Sequence, residues 1–226
     1  MDRIHAHHTP QKAKLCATAC AGLLLVATPA VAHPHVFIDG GVDFQFAEDE
    51  TLTALKVTWL YDEFETLYLL ASNNLSLNAE GGLDEADRLT LEQKFSEWPE
   101  DFDGSAHLMH DGAPVALAWP SDPEVQLIDG RIQAVFTRAL EAPMTLIGSS
   151  TELAFYESTY FFAFKVTNIP QLMGGSGACV ADVIPFKPDP NDASVLTKLA
   201  MLSREETPDD ENVGLLFADR IALKCG

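Results

Sequence analysis

The sequence predicts an α+β fold: a β-rich, sandwich-like domain of antiparallel hairpins with two or three inserted helices. Beyond residue 33, most apolar residues alternate with polar ones, which is typical of half-buried strands. The dipeptides Asp111-Gly112 and Asp129-Gly130 are typical of tight hairpin turns. Helical spacing occurs in separate stretches that do not alternate with strands, so a doubly wound parallel sheet is not expected.

The first 32 residues have the features of a secretory signal peptide. A basic start precedes an apolar run from Leu15 to Ala27, and Ala30-Val31-Ala32 has the small residues that signal peptidase recognises. The run is too short for a permanent transmembrane helix. We therefore predict a signal peptide over 1–32 and a single periplasmic domain over 33–226 that does not itself span a membrane.

Two long strands, at 35–46 and 53–61, are predicted to form the first hairpin. In the first strand, Val36 and Ile38 alternate with residues of the opposite face, which are His35, Phe37 and Asp39. Gly40-Gly41 predicts a break in this strand.

Two helices are predicted after this hairpin. The first begins at Asp62 or Glu63, where an acidic residue suits the helix dipole, and ends near 72–74. Its apolar residues at helical spacing are Phe64, Leu67, Tyr68 and Ala71. The second helix covers 83–98, and its predicted inner face consists of Ala86, Leu89 and Phe95.

The remaining chain is predicted to be mostly strand, with one further helix at 193–204. The predicted strands are 105–109, 114–119, 125–128, 131–138, 151–156, 159–166, 178–184 and 213–225. The aromatic residues between 155 and 164 are expected to belong to the core.

The chain is strongly acidic, with a formal net charge of −20. This charge argues against a nucleic-acid partner, because the phosphate backbone attracts the opposite sign. It is typical of solubility in an exported protein and also attracts cations. Two cysteines follow the leader, and an even pair in an exported protein predicts a disulfide between Cys179 and Cys225. Metal binding by the two thiolates is the alternative.

The residues best suited to bind a metal are His33 and His35. After cleavage behind Ala32, His33 would carry both the terminal amine and an imidazole, and His35 would add a third nitrogen donor. Three nitrogens suit nickel, cobalt, zinc or copper. Pro34 excludes a chelate through the amide of the second residue, because proline has no N–H. Asp39 is the predicted carboxylate ligand or hydrogen-bond partner of a ligand. The alternative is a solvated tail.

Weaker metal-ligand candidates are His107, His110, Asp62 and Glu63. A histidine in such a position is more often an ordinary surface or core residue than a ligand, and a helix start explains the two acidic residues. The segment 78–84 resembles a calcium loop, but it lacks oxygen ligands at alternate positions, so calcium binding stays open. No nucleophile elbow, phosphate-binding loop or zinc-protease motif occurs, and we do not predict an enzyme.

Four segments carry a resemblance to a known family: Ala32–Asp39 (AHPHVFID), Trp59–Phe64, Tyr160–Phe164 and Phe217–Cys225. They resemble a family of exported bacterial proteins of no settled function, described as the periplasmic component of an uncharacterised ABC-type transport system. The first segment, directly after the leader, is the most specific. Such proteins often accompany nickel, cobalt or zinc transporters.

The resemblance implies a periplasmic transition-metal-binding accessory or substrate-binding component of a metal transport system. Its partner would be an inner-membrane metal transporter. The alternative function is a structural or partner-binding β-rich periplasmic domain without metal.

Overall fold

Two β-sheets share one large apolar core with the two helices that follow the first hairpin, and a second, smaller cluster consists of Leu199, Val213 and Phe217. The structure is a computed structural model that describes residues 33–99, 102, 104–175, 177–189, 193–203 and 206–226. The two sheets are mostly antiparallel, which confirms the predicted β-rich, sandwich-like α+β class. The predicted signal peptide over 1–32 lies outside the described residues and stays a prediction.

The first sheet has the strand order β5-β6-β2-β1-β8, with β9 also paired to β1, and the second has the order β10-β11-β7-β3-β4. The strands are β1 Val36–Phe46, β2 Leu52–Tyr61, β3 Ala106–His110, β4 Ala113–Pro114, β5 Ser121–Ile128, β6 Arg131–Met144, β7 Thr151–Phe155, β8 Phe162–Val166, β9 Leu172–Met173, β10 Cys179–Ile184 and β11 Arg220–Cys225. The helices are α1 Glu63–Ser72, α2 Glu85–Lys94, α3 Ala193–Met201 and a 3₁₀ helix Val213–Phe217.

Strand β1 alternates as predicted, but it runs without interruption through Gly40-Gly41. The predicted break is therefore wrong. A Cβ atom on Gly41 would lie 2.7 Å from the Cβ of Asn168, so this glycine permits a close approach of the chain after β8. The inward residues are Val36, Ile38, Val42, Phe44 and Phe46, all of which are buried.

The chain crosses from the second sheet to the first between β7 and β8, and residues 156–161 form this crossing segment. Strand β8 lies parallel to β1 and pairs Phe162 with Val36. The crossing segment reaches the start of β1, where the backbone N–H groups of His35 and Val36 donate to the carbonyl of Phe161 at 2.9 and 3.2 Å. This contact positions the two histidines that the sequence singles out.

Helix α1 confirms the predicted start, because Asp62 is its N-cap. Helix α2 is shorter than predicted, and its expected inner face is partly wrong: Ala86 and Leu89 are exposed, whereas Leu91 and Phe95 are buried. Leu91 and Phe95 are four residues apart and share the buried side of the helix, whereas Ala86 and Leu89 do not stand three or four residues from Leu91 and lie off that side.

The predicted strand over 213–225 is also only partly correct, because its first residues form the 3₁₀ helix. Gly214 lies so close to the crossing segment that a Cβ there would be 1.9 Å from the carbonyl oxygen of Glu157. Its N–H donates to Ser158 at 3.3 Å instead of to a neighbouring strand.

The predicted disulfide is confirmed. Cys179 and Cys225 face each other across β10 and β11, and their sulfur atoms are bonded. The bond fastens the last strand to the strand beside it. Within the described ranges, no helix is long and apolar enough to cross a membrane.

Candidate functional site

The start of β1 brings His33 and His35 together. Their ring centroids lie 4.9 Å apart at an interplanar angle of 62°. Phe161 packs against both rings, at 6.1 Å from His33 and 4.8 Å from His35. His33 is only 4% exposed, so the two imidazoles form a compact pair against an aromatic wall rather than a solvated tail.

Glu157 fixes the position of Phe161. Its carboxylate accepts hydrogen bonds from the backbone N–H groups of Thr159 and Phe161 at 2.9 and 2.8 Å. It also accepts from the Thr159 hydroxyl at 2.8 Å. These bonds close the crossing segment on itself and fix Phe161 beside the histidines.

The Nδ1 atom of His33 is buried, and no residue in the described part of the chain forms a hydrogen bond with it. A buried polar atom without a partner is costly, so this nitrogen indicates a position for a further donor or a metal ion. Two nitrogens on one tetrahedral ion lie about 3.3 Å apart. A centroid separation of 4.9 Å is compatible with one nitrogen from each ring reaching such an ion.

Asp39 does not join the histidine pair. Its carboxylate forms an ion pair with Arg131, with 2.8 Å between Oδ2 and the guanidinium nitrogen. Arg131 also donates to the carbonyls of Tyr61 and Leu60 at 2.6 and 3.0 Å, which ties the end of β2 to β1 and β6. Among the residues that the structure describes, no group of three or more His, Cys, Asp or Glu side chains is placed to hold a metal ion.

The acidic residues at the helix start have structural roles. Asp62 accepts from the N–H of Glu65 at 2.9 Å through one oxygen, which caps α1, and from the N–H of Phe37 at 2.8 Å through the other. Glu63 is exposed in the first turn, where its charge suits the helix dipole.

His107 and His110 lie on β3 in the second sheet, whereas β1 belongs to the first. The ring of His107 stacks on Tyr156 at 3.7 Å, and its Nε2 lies 3.0 Å from the Tyr156 carbonyl oxygen. The Nδ1 of His110 lies 2.9 Å from the hydroxyl of Thr151. Both rings are therefore engaged in contacts of the second sheet.

The 78–84 segment is closed by its own hydrogen bonds. The Asn78 side-chain oxygen accepts from the N–H groups of Glu80 and Gly82 at 3.1 and 2.8 Å, and its amide donates to Asp84 at 3.1 Å.

An aromatic cavity of about 340 Å³ lies next to the crossing segment. Its walls include Trp59, Tyr61, Trp98, Phe102 and Phe162. Burial, together with the nearby Glu65 carboxylate, raises the pKa of the Tyr61 hydroxyl well above its ordinary value. Sequence reasoning missed this cavity. The aromatic residues at 59, 61 and 98 were its signal, but aromatic residues that fill a core give the same pattern.

Comparison with known proteins shows the family. Residues 18–225 match the family described as "Protein of unknown function (DUF1007)", and the chain belongs to it. This result confirms the resemblance at the level of an uncharacterised family. A search of curated proteins finds no match.

Among solved structures, the chain is similar to acetylcholine-binding protein type 1 of Biomphalaria glabrata, at 11% identity over 83% of each chain. The TM-score is 0.34, which supports no conclusion on fold or function.

Proposed function

We propose that this protein is a periplasmic transition-metal-binding accessory or substrate-binding component of a metal transport system. In this proposal, His33 and His35 bind a divalent ion of nickel, cobalt, zinc or copper. The observation that supports it is the pair of imidazoles 4.9 Å apart, one of which has a buried nitrogen without a hydrogen-bond partner in the described residues. The partner that would receive or deliver the ion is an inner-membrane metal transporter.

The proposed chelate forms when the leader is removed. Cleavage behind Ala32 converts the amide nitrogen of His33 into a terminal amine, which with its imidazole and the imidazole of His35 provides three nitrogen donors. Each donor must be deprotonated to bind, so acidification should release the ion. The net charge of −20 favours the approach of cations. Asp39 can contribute a carboxylate only if its ion pair with Arg131 opens.

Calorimetry with nickel, cobalt, zinc and copper tests the proposal on residues 33–226 with an authentic His33 terminus. We expect about one ion per chain, and a loss of affinity of about tenfold or more when His33 and His35 are both replaced by alanine. The matched control removes the other two histidines, His107 and His110, and should bind like the parent. Equal binding by the parent and the His33→Ala/His35→Ala variant would refute the site.

The terminal amine has its own test. Acetylation of the terminal amine of His33 keeps both imidazoles but removes the amine as a donor, so the acetylated chain should bind more weakly than the authentic terminus. The N-terminal sequence of the exported protein decides whether this chelate exists in the cell. A mature chain that does not begin at His33 cannot form it.

The alternative is a partner-binding β-rich domain without metal, and one observation favours it: Phe64, Leu67 and Tyr68 on one side of α1 face solvent. A metal that binds the folded chain raises its melting temperature by mass action. An unchanged melting temperature across the four metals, measured on the authentic mature chain, would favour this alternative.

A further inference from the structure

Helix α1 carries an exposed apolar stripe along one side. Phe64, Leu67 and Tyr68 are 85%, 64% and 57% exposed, and Ala71 is exposed as well. These positions follow the i, i+3, i+4 and i+7 spacing by which a helix places its anchors in a groove. The sequence predicts this stripe correctly, but the structure turns it away from the core.

The fold of α1 does not depend on the stripe. Its opposite side is buried through Thr66 and Leu70, and the Thr66 hydroxyl accepts the N–H of Ile132 on β6 at 3.0 Å. Asp62 fixes the start of the helix through its two backbone hydrogen bonds. Phe64, Leu67 and Tyr68 do not pack against the core, so packing within this chain does not explain why these exposed positions carry large apolar side chains.

A further exposed apolar side chain lies on the strand that contacts the start of α1. Phe37 on β1 is more than half exposed, and its carbonyl accepts the N–H of Asp62 at 2.9 Å, immediately before α1. A contiguous apolar surface of several large side chains is typical of interaction sites, whereas single exposed apolar residues are ordinary.

The charge around the stripe restricts what can cover it. Glu63 and Glu65 lie in the first turn of α1, and the ten-residue helix contains no lysine or arginine. The whole chain has a net charge of −20, so a second copy or an anionic lipid surface would be repelled. A polypeptide with an apolar groove and a basic rim would be attracted.

We propose that α1 docks, through Phe64, Leu67 and Tyr68, into an apolar groove with a basic rim on a different protein. The proposal stands whether or not His33 and His35 bind a metal, because it depends on other residues. In this arrangement the hydrogen bonds between Phe37 on β1 and Asp62 fix the start of α1, and the outward stripe provides the anchor residues.

Site-specific crosslinking in intact cells provides the first test. A photoreactive phenylalanine is placed at position 64 of the full chain, and the control places it at position 169, where Ile169 is an exposed apolar residue outside α1. We expect an adduct with another polypeptide from position 64 and not from position 169. An adduct of twice the chain's own mass, or equal labelling at both positions, would overturn the proposal.

The second test uses the polypeptide identified in the adduct, purified and titrated with the mature chain. Phe64→Ser should weaken binding about tenfold or more, since a central aromatic anchor contributes strongly to an interface. The control Ile169→Ser should change it less than about twofold, and added salt should weaken binding if the rim is basic. Equal affinities of Phe64→Ser and the parent, or binding that salt does not affect, would overturn the proposed groove.

A third test asks whether the stripe binds lipid, with vesicles of neutral and of anionic phospholipid in a sedimentation assay. The proposal expects the chain to stay in the supernatant with both. Sedimentation with vesicles that Phe64→Ser abolishes would assign the stripe to a lipid surface and overturn the protein partner.

Discussion

Replacing Asp219 by asparagine tests how the two sheets are held together. Asp219 is a buried residue immediately before β11, and its two carboxylate oxygens accept from different parts of the chain. One accepts the N–H of Val166, at the end of β8, at 2.8 Å, and the other accepts the N–H of Phe186, beyond β10, at 2.7 Å. One side chain thus links the last strand to the edge of the other sheet.

The expected cost follows from the two hydrogen bonds. Asparagine has almost the same shape, but it has one oxygen acceptor, so its NH₂ group faces one of the two N–H donors. Leaving the half-buried backbone N–H of Val166 or Phe186 without an acceptor costs about 1–3 kcal/mol. The remaining bond loses the assistance of the charge, which costs about 1 kcal/mol. We therefore expect the free energy of unfolding to fall by about 2–4 kcal/mol.

Urea denaturation of the disulfide-intact mature domain, followed by circular dichroism, measures this change. At about 2–4 °C per kcal/mol for a domain of this size, the melting temperature should fall by roughly 5–15 °C. The control is Asp182→Asn, which removes an exposed ion pair with Lys224 of 3.1 Å and should cost less than about 0.5 kcal/mol. An Asp219→Asn variant as stable as this control would refute the assigned role.

Two further predictions concern stability. Gly104→Ala should lower the free energy of unfolding by about 2 kcal/mol or more, because φ is +71° there and the new Cβ would lie 1.9 Å from a guanidinium nitrogen of the buried Arg138. The control is Gly112→Ala in the same urea experiment. Its φ is +78°, but a Cβ there would meet no atom within 4 Å, so this variant should lose only the free energy of the backbone strain. The pKa of Tyr61 is raised in the folded state, so folding favours the neutral phenol. The resulting stabilisation of the folded state is complete below the ordinary tyrosine pKa, and it is lost as pH rises through the higher pKa of the folded state. Unfolding measured from neutral to strongly alkaline pH should show this loss in the parent and a smaller loss in Tyr61→Phe, and identical pH profiles would contradict the assignment.

Local patterns were sufficient for much of the fold. Alternation in β1 and β2 depends only on which side chains share a strand face, so the buried sets were predictable from period two. The start of α1 was predictable because an acidic residue that ends a strand can cap a helix. The disulfide followed from two cysteines in a chain that is predicted to be exported.

Two misreadings arose where distant segments meet. Gly40-Gly41 looked like a break because glycine is common in turns, whereas its actual use is the close approach of the chain after β8. The residues from 213 looked like strand because they are apolar, but Gly214 packs against Glu157 and the chain turns into a 3₁₀ helix. In both cases the deciding neighbour is far away in sequence.

In the candidate site, local sequence features identified the residues, and contacts between distant segments determined their partners. The sequence singled out His33 and His35 from their position after the leader and the chemistry of their nitrogens. It also placed Asp39 on their strand face, but a face does not specify a partner, and Arg131 from β6 takes that carboxylate. The pairing of the two rings depends on Phe161, which reaches β1 only through the crossing between the sheets.

The sequence by itself determined the β-rich class, the cysteine pair, the helix start and the two histidines, because period, capping and donor chemistry are local properties. Only the tertiary structure decided which side of α1 meets the core. Both sides of that helix are apolar, and spacing alone cannot tell Thr66 and Leu70 from Phe64 and Leu67. The backbone N–H of Ile132 on β6 decides which side is buried. When the Thr66 side of α1 faces the core, the Thr66 hydroxyl accepts the hydrogen bond of this N–H, which would otherwise lack a partner.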